Sequence, residues 1–286
     1  MDYLLGIFSW YGYVLPFYER ITLIKEAGFK AASLWWEDEN APFPMKKESM
    51  PRLIREKGLL LENIHVPDNN SDALWSEREP ERIGAVQCHV EWLYDCARLG
   101  IPKMVMHLND GAAPPAPNRY GLKSMGELVR VAEELQVTIA VENTRRSDHI
   151  SYVLRSIQSD YLGFCFDSSH YQLTNKDDFR LLKDGARLVA THLSDNDGVE
   201  DRHWLPGHGI INWAALAGSF PKSYRGCLML EVYPTAGERK DSPQKFLKKA
   251  YQKLSDIRKL IKTNKRGDRF NYDRSGKDMS VMRTRQ

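Results

Sequence analysis

Short apolar runs alternate with amphipathic stretches along almost the whole chain. Several runs are continuously apolar, which is typical of parallel strands that are covered on both faces. They predict eight strands, at Tyr3–Phe8, Ala31–Trp35, Leu59–Val66, Lys103–His107, Thr138–Glu142, Leu162–Asp167, Leu188–Leu193 and Cys227–Glu231. The amphipathic stretches predict a helix after each strand, at Phe17–Ala27, Ser49–Lys57, Glu79–Leu99, Ser124–Leu135, His149–Ile157, Asp177–Leu182, Trp213–Ala217 and Ser242–Ile261. Eight such units favour the α/β class and a single (β/α)8 TIM barrel over residues 1–261.

The last 25 residues have a different character. Residues 262–286 lack apolar periodicity and contain eight Lys or Arg against three Asp, a net charge of +5. The whole chain carries +3, so the first 261 residues carry about −2. We therefore expect a basic, flexible C-terminal extension beside a slightly acidic barrel.

Six predicted strands end in, or close to, a residue that binds divalent metals. These residues are His65, His107, Glu142, Asp167, His192 and Glu231, and His170 follows Asp167 by three positions. The carboxyl ends of parallel barrel strands meet at one rim, so the side chains would converge there. Imidazole and carboxylate groups are ligands of hard and borderline divalent ions. The pattern predicts a metal site on the rim of a metalloenzyme.

The four cysteines and the lengths of the apolar runs indicate the cellular compartment and the kind of metal ligand to expect. No CxxC occurs, and Cys88, Cys96, Cys165 and Cys227 fall within helix and strand patterns. We expect buried free thiols, a cytoplasmic protein and a metal site of nitrogen and oxygen ligands. No apolar run approaches the roughly 20 residues that span a bilayer, so we predict no membrane association.

Several motifs resemble the xylose isomerase-like TIM barrel superfamily, which includes sugar isomerases, sugar epimerases and endonuclease IV. The resemblance covers residues 1–260 and rests on VENT, FDSSH, THLSDNDG, DRHWLPGHGIINW and LEVYP. It implies that Glu142, Asp167, His192 and Glu231 hold one divalent ion, commonly Mn2+, with Zn2+, Co2+ or Mg2+ as alternatives. It also implies that Glu142 and Glu231 exchange protons with a sugar or sugar phosphate through a metal-stabilised enediolate.

The same resemblance leaves an alternative open. Endonuclease IV holds three zinc ions with residues that match nine positions here, namely His65, His107, Glu142, Asp167, His170, His192, Asp201, His203 and Glu231. Under that hypothesis the protein is an abasic-site endonuclease or a phosphodiesterase and nucleic acid is a partner. The slightly acidic barrel disfavours DNA, because phosphate contacts dominate DNA affinity. The chain also lacks the arginine that ketose 3-epimerases place soon after the match to His192.

In the isomerase reading the remaining candidates bind substrate. His65, His107, His170 and His203 would orient a sugar, or these residues and Asp201 would hold further metals. Four tryptophans are candidates for an apolar wall against a sugar face, and Trp10 and Trp36 are the predicted contacts. A non-catalytic sugar-binding protein is the third hypothesis. The family resemblance also implies a homo-oligomer.

Overall fold

Eight parallel strands form a nearly closed barrel in the computed structural model, which describes residues 2–68, 70–111, 113–144, 146, 148–175 and 187–266. The strands are β1 Leu5–Phe8, β2 Ala31–Trp35, β3 Leu60–His65, β4 Lys103–His107, β5 Thr138–Glu142, β6 Leu162–Asp167, β7 Leu188–His192 and β8 Leu228–Leu230. From β1 to β7 each strand pairs with the next in sequence, β1 also pairs with β8, and an isolated bridge between Leu193 and Leu230 joins the ends of the sheet. The predicted (β/α)8 barrel is confirmed, and four strands are shorter than predicted, β1 and β7 at one end and β3 and β8 by one residue at both ends.

Helices follow the strands on the outside of the barrel. Within the described residues they are α1 Phe17–Glu26, α2 Met50–Glu56, α3 Glu79–Leu99, α4 Arg119–Leu135, α5 Asp148–Ser156, α6 Ser168–Asn175, α7 Trp213–Ser219 and α8 Pro243–Arg266. None of these helices is both long enough and apolar enough to cross a membrane.

Helix α4 begins five residues before the predicted start. Asn118 caps it, because its Oδ1 accepts hydrogen bonds from the backbone N–H groups of Tyr120 (2.9 Å) and Gly121 (3.0 Å). Gly121 is required at this position, since a Cβ there would lie 1.9 Å from the Trp75 ring. Gly121 is therefore a packing residue.

The chain around β6 and at the C-terminus also departs from the prediction. A helix begins directly after β6, at Ser168, whereas the predicted helix at residues 177–182 lies outside the described residues. Helix α8 continues to Arg266, five residues past the predicted end of the barrel. The rest of the predicted extension, residues 267–286, lies outside the described part of the chain.

The cysteines follow the prediction with one exception. All four are free, and Cys96, Cys165 and Cys227 are buried. Cys88 is exposed, so the expectation of a buried thiol was wrong at that position. Cys88 lies on α3, and only one side of that helix packs against the barrel, so a residue on the other side is exposed.

The barrel closes between β7 and β8 with help from a side chain. Leu193 N donates to Met229 O (2.8 Å) and Glu231 N donates to Leu193 O (3.2 Å). Below this bridge the buried Thr191 hydroxyl donates to Cys227 O (3.2 Å) and accepts from Met229 N (3.1 Å). The hydroxyl thus pairs two backbone groups that the short strand ladder leaves without partners.

The strand register places the predicted site residues at the same height along the barrel axis. His107 pairs with Glu142, Asp167 with His192, and Trp35 with His65. Beneath them the barrel interior is filled by small buried side chains, from Val105, Ala140, Cys165 and Ala190. A packed layer therefore supports the rim residues from below.

We predict that Thr191→Val lowers the free energy of unfolding by about 1–3 kcal/mol, because the buried Met229 N–H loses its acceptor. Urea unfolding followed by circular dichroism measures the effect. Thr22→Val is the matched control, since the Thr22 hydroxyl bonds only to Tyr18 O on an exposed face of α1. Equal losses in the two variants would show that the hydroxyl does not contribute to barrel closure.

Candidate metal centre

Four of the predicted ligands converge at the rim of the barrel. Glu142, Asp167, His192 and Glu231 each offer a ligand atom, and these four atoms lie within 4.8 Å of one another. His192 Nδ1 is 3.1 Å from Glu142 Oε1 and 3.2 Å from Glu231 Oε2. The side chain of Glu231 is 12% exposed, whereas those of Glu142 and His192 are fully buried. The quartet therefore lies at the bottom of a cavity, which Glu142 and Glu231 line.

The donor set and its hydrogen bonding fit a divalent cation. Asp167 Oδ1 accepts from His170 N (2.7 Å), but Asp167 Oδ2 is buried and finds no hydrogen-bond partner in the described part of the chain. An unsatisfied buried carboxylate oxygen is costly unless a cation or donor compensates it. Three carboxylates and one imidazole match the preferences of Mn2+, Zn2+ and similar ions.

A neighbouring asparagine fixes the carboxyl end of β6 against β5. Asn143 Nδ2 donates to Asp167 O (2.8 Å), and Asn143 Oδ1 accepts from Asp167 N (2.9 Å). His170 Nδ1 lies 3.0 Å from Asn143 O, which orients the ring of that histidine as well. The asparagine of the VENT motif therefore positions two predicted site residues, a role that residue type alone does not reveal.

The buried charges shift one another's pKa values. Burial raises the pKa of Glu142, but the charge of His192 and the closeness of His107 and His65 outweigh it, so that pKa lies well below its usual range. Burial lowers the pKa of His192, yet its acidic surroundings hold that pKa well above the ordinary value. Burial and nearby carboxylates raise the pKa of Asp167 to about 7. Such divergent shifts are typical of functional sites.

Two further histidines approach Glu142 from β3 and β4. His65 Nε2 is 3.0 Å from Glu142 Oε2, and His107 Nε2 is 3.7 Å from the same oxygen. His107 Nδ1 also lies 3.2 Å from Asp68 Oδ2, a carboxylate that the sequence analysis did not single out. Although burial lowers the pKa of His107, the nearby carboxylates of Asp68 and Glu142 raise it to about 9. Glu142 is thus the common partner of both histidines.

The remaining predicted residues form a third group around Asp201. His170 Nε2 and His203 Nε2 each lie 3.0 Å from Asp201 Oδ2, and Ser169 Oγ donates to Asp201 Oδ1 (2.5 Å). Burial raises the pKa of Asp201, but the two histidines hold it far below the usual range. The structure therefore brings together all nine candidate residues of the sequence analysis.

The loop that carries Asp201 and His203 depends on a residue that the sequence analysis missed. Asp195 is buried, and its carboxylate accepts from Gly207 N (2.8 Å), Ile211 N (3.1 Å) and Trp213 Nε1 (2.9 Å). It therefore connects both ends of the loop between β7 and α7. Asp195 is the first of the two aspartates in THLSDNDG, and its presence in this motif was the available signal. Nothing in the sequence indicated that it is buried.

The sites described above open into a cavity of about 640 Å³. Trp10 lines the cavity as predicted. Trp36 does not line it: this side chain is 1% exposed and its Nε1 donates to Asp95 Oδ2 (3.0 Å). Trp35 lines the cavity instead, with its ring centroid 4.9 Å from that of His65. Successive side chains of an extended chain point to opposite sides, so only one of two adjacent tryptophans can face the barrel interior.

The chain belongs to the xylose isomerase-like TIM barrel family, whose model matches residues 21–250. An uncharacterized protein, y4fM, of Sinorhizobium fredii (strain NBRC 101917 / NGR234) is 25% identical over 277 residues, which cover 81% of this chain and 87% of that protein.

Among solved structures, an L-ribulose 3-epimerase superposes with a TM-score of 0.73 at 16% identity, covering 93% of this chain and 96% of the other. The 3-keto-D-glucoside 4-epimerase YcjR from E. coli gives a TM-score of 0.66 at 16% identity, with 89% of this chain and 100% of that chain covered. Likeness at this level of identity establishes the shared barrel.

We predict that Asp195→Asn destabilises the protein by about 2–4 kcal/mol, because an amide cannot accept from all the donors around this carboxylate and hydrogen bonds to charged groups are the strong ones. Thermal unfolding measures the loss, and hydrogen exchange should show faster exchange in residues 195–212. Asp256→Asn, at a largely exposed carboxylate on α8, is the control and should change little. Unchanged exchange in the loop would contradict the assigned role.

Proposed function

We propose that this protein is a divalent-metal-dependent sugar isomerase or epimerase. The observation that carries the proposal is the convergence of Glu142, Asp167, His192 and Glu231 within 4.8 Å at the base of a cavity. Likeness to structures described as sugar epimerases supports the same class of reaction. Mn2+ is the proposed ion, with Zn2+, Co2+ or Mg2+ as alternatives.

Each residue of the quartet has a part in the proposed reaction. Glu142, Asp167, His192 and Glu231 would together hold a divalent cation, which would supply stabilisation of the negative charge that develops on the substrate oxygens when a C–H proton leaves. Burial raises the pKa of Glu231, but the charge of His192 outweighs it and lowers that pKa, as it does for Glu142, so both glutamates are ionised. One takes the proton from the substrate carbon and the other returns a proton, either to the opposite face or to the neighbouring carbon.

The surrounding histidines orient the substrate. His65, His107, His170 and His203 line the cavity beside the quartet, and each has a ring nitrogen near a carboxylate of the site. Imidazoles held in this way present fixed polar groups to sugar hydroxyls. We assign them to substrate binding, and Glu142 and Glu231 to catalysis.

We predict that Glu231→Gln lowers the rate of proton exchange at the substrate carbon by a factor of about 10²–10⁴, because the amide cannot accept the proton. Incorporation of deuterium from D2O into a panel of ketoses, followed by NMR, measures it. The variant should lose at most one metal ion per chain by elemental analysis. Glu127→Gln, on the exposed face of α4, is the control. Undiminished exchange in Glu231→Gln would exclude this role, and sugar binding without exchange in the wild type would indicate a non-catalytic sugar-binding protein.

A zinc-dependent phosphodiesterase or abasic-site endonuclease is the second candidate. The observation that favours it is the Asp201 group, in which His170 and His203 surround one carboxylate as ligands of a further ion would. Clustered metals activate water and stabilise a leaving oxygen in phosphodiester hydrolysis. Nucleic acid is a partner only under this candidate.

Metal content separates the two candidates. We expect one divalent ion per chain in protein purified without chelators or an affinity metal, measured by elemental analysis. Asp201→Ala and His203→Ala should then retain that ion and mainly weaken substrate binding. Three tightly held zinc ions, with a loss of zinc in these two variants, would instead support the hydrolase.

A further inference from the structure

The outer part of the cavity differs in character from its base. Four apolar side chains line it: Trp10, Val14 and Leu15 from the β1–α1 loop, and Phe43 from the β2–α2 loop. We refer to these four residues as the apolar shelf. Trp10 is 37% exposed, Phe43 is 40% exposed and Val14 is 61% exposed, whereas the base is buried. Exposed apolar side chains beside a polar site are typical of a ligand contact.

A buried arginine holds the two loops of the shelf together. Arg20 Nε donates to Ser9 O (3.0 Å), Nη1 donates to Leu15 O (3.2 Å), and Nη2 pairs with Glu39. The guanidinium also lies 5.2 Å from the centre of the Trp10 ring. The shelf is therefore ordered before a ligand arrives, which lowers the entropic cost of binding to it.

The charges of the cavity wall disfavour an anionic ligand. Outside the base, the carboxylates of Glu37, Asp38, Glu39 and Asp68 line the cavity, and Arg20 is the only lysine or arginine among the described lining residues. Glu39 is paired with Arg20, Asp38 with Lys46 and Asp68 with His107, so the acidic character of the wall is partly compensated. Each of the three nitrogens of the Arg20 guanidinium already donates to a backbone carbonyl or to Glu39. A phosphate monoester carries about −1.5 to −2 charges and would meet like charges here.

The size of the cavity exceeds the needs of one free sugar. A volume of about 640 Å³ corresponds to about 20 water molecules at roughly 30 Å³ each. A hexose has only about a dozen non-hydrogen atoms. With a sugar at the metal quartet, space remains over the apolar shelf for a second ring.

We propose that the substrate is an uncharged ketose that carries a second uncharged ring at the end remote from its carbonyl. The proposal rests on the proposed function, which places the ketose carbonyl at Glu142 and Glu231. The second ring lies on Trp10 and Phe43, because the apolar faces of sugar rings pack on aromatic side chains. The excess of carboxylates over lysine and arginine in the wall disfavours the corresponding phosphate ester.

Three compounds that differ only at the sixth carbon test the proposal. They are D-fructose, D-fructose 6-phosphate and isomaltulose, in which a glucosyl group is attached to the same oxygen. Isothermal titration calorimetry on the Mn2+-loaded protein should show isomaltulose binding about tenfold more tightly than fructose, and the phosphate more weakly than either. Equal affinities for fructose and isomaltulose, tightest binding of the phosphate, or no measurable binding of isomaltulose would each overturn the proposal.

Variants of the shelf show whether it is the source of the preference. Trp10→Ala and Phe43→Ala should each remove most of the advantage of isomaltulose over fructose. Tyr94→Ala is the matched control, because Tyr94 is an aromatic residue of α3 that is 56% exposed and does not line the cavity. An advantage that persists in both shelf variants would contradict the proposal.

Binding and proton exchange separate this proposal from the proposed function. If no ketose exchanges its proton while isomaltulose still binds preferentially, the proposed reaction fails and the shelf is a binding site. If fructose exchanges its proton but isomaltulose has no advantage in binding, the proposed reaction stands and the assignment of the shelf fails.

Discussion

The buried carboxylate of Glu142 is the interaction on which the rest of the site depends. Its oxygens lie 3.0 Å from His65 Nε2 and 3.1 Å from His192 Nδ1, and His107 approaches from a third strand. An ionised group without such partners would cost several kcal/mol in a barrel interior. The pKa of Glu142 lies well below its usual range because these partners outweigh the effect of burial. The histidines are thus also requirements of the fold around this charge.

The barrel makes this arrangement possible through register and packing. The pairing of His107 with Glu142 and of Asp167 with His192 fixes the heights of these groups, and small side chains such as Ala140 and Ala190 fill the interior beneath them. The Asp201 group belongs to a loop, and the buried Asp195 carboxylate gives that loop a defined position. Strand ends therefore supply the base of the site, while one carboxylate holds an irregular segment over it.

In the proposed function, the base of the cavity carries out the reaction and the outer part of the cavity selects the substrate. Residues at the base are polar, buried and connected by short contacts, as expected for groups that carry out chemistry. The apolar shelf lies on two loops, and its order comes from Arg20, which contacts both. In barrel enzymes, loops vary while strand ends keep the reactive groups, so selection of the substrate would depend on residues such as Trp10 and Phe43.

The sequence by itself determined the barrel and the residues at its rim, because continuous apolar runs that end in His, Asp or Glu leave few alternatives for strand position. Only the tertiary structure decided which of Trp35 and Trp36 faces the cavity, since neighbouring residues point to opposite sides and both are equally apolar. The burial of Asp195 and the contact of Asp68 with His107 were likewise not readable. Each depends on partners distant in sequence, and local patterning contains no information about such partners.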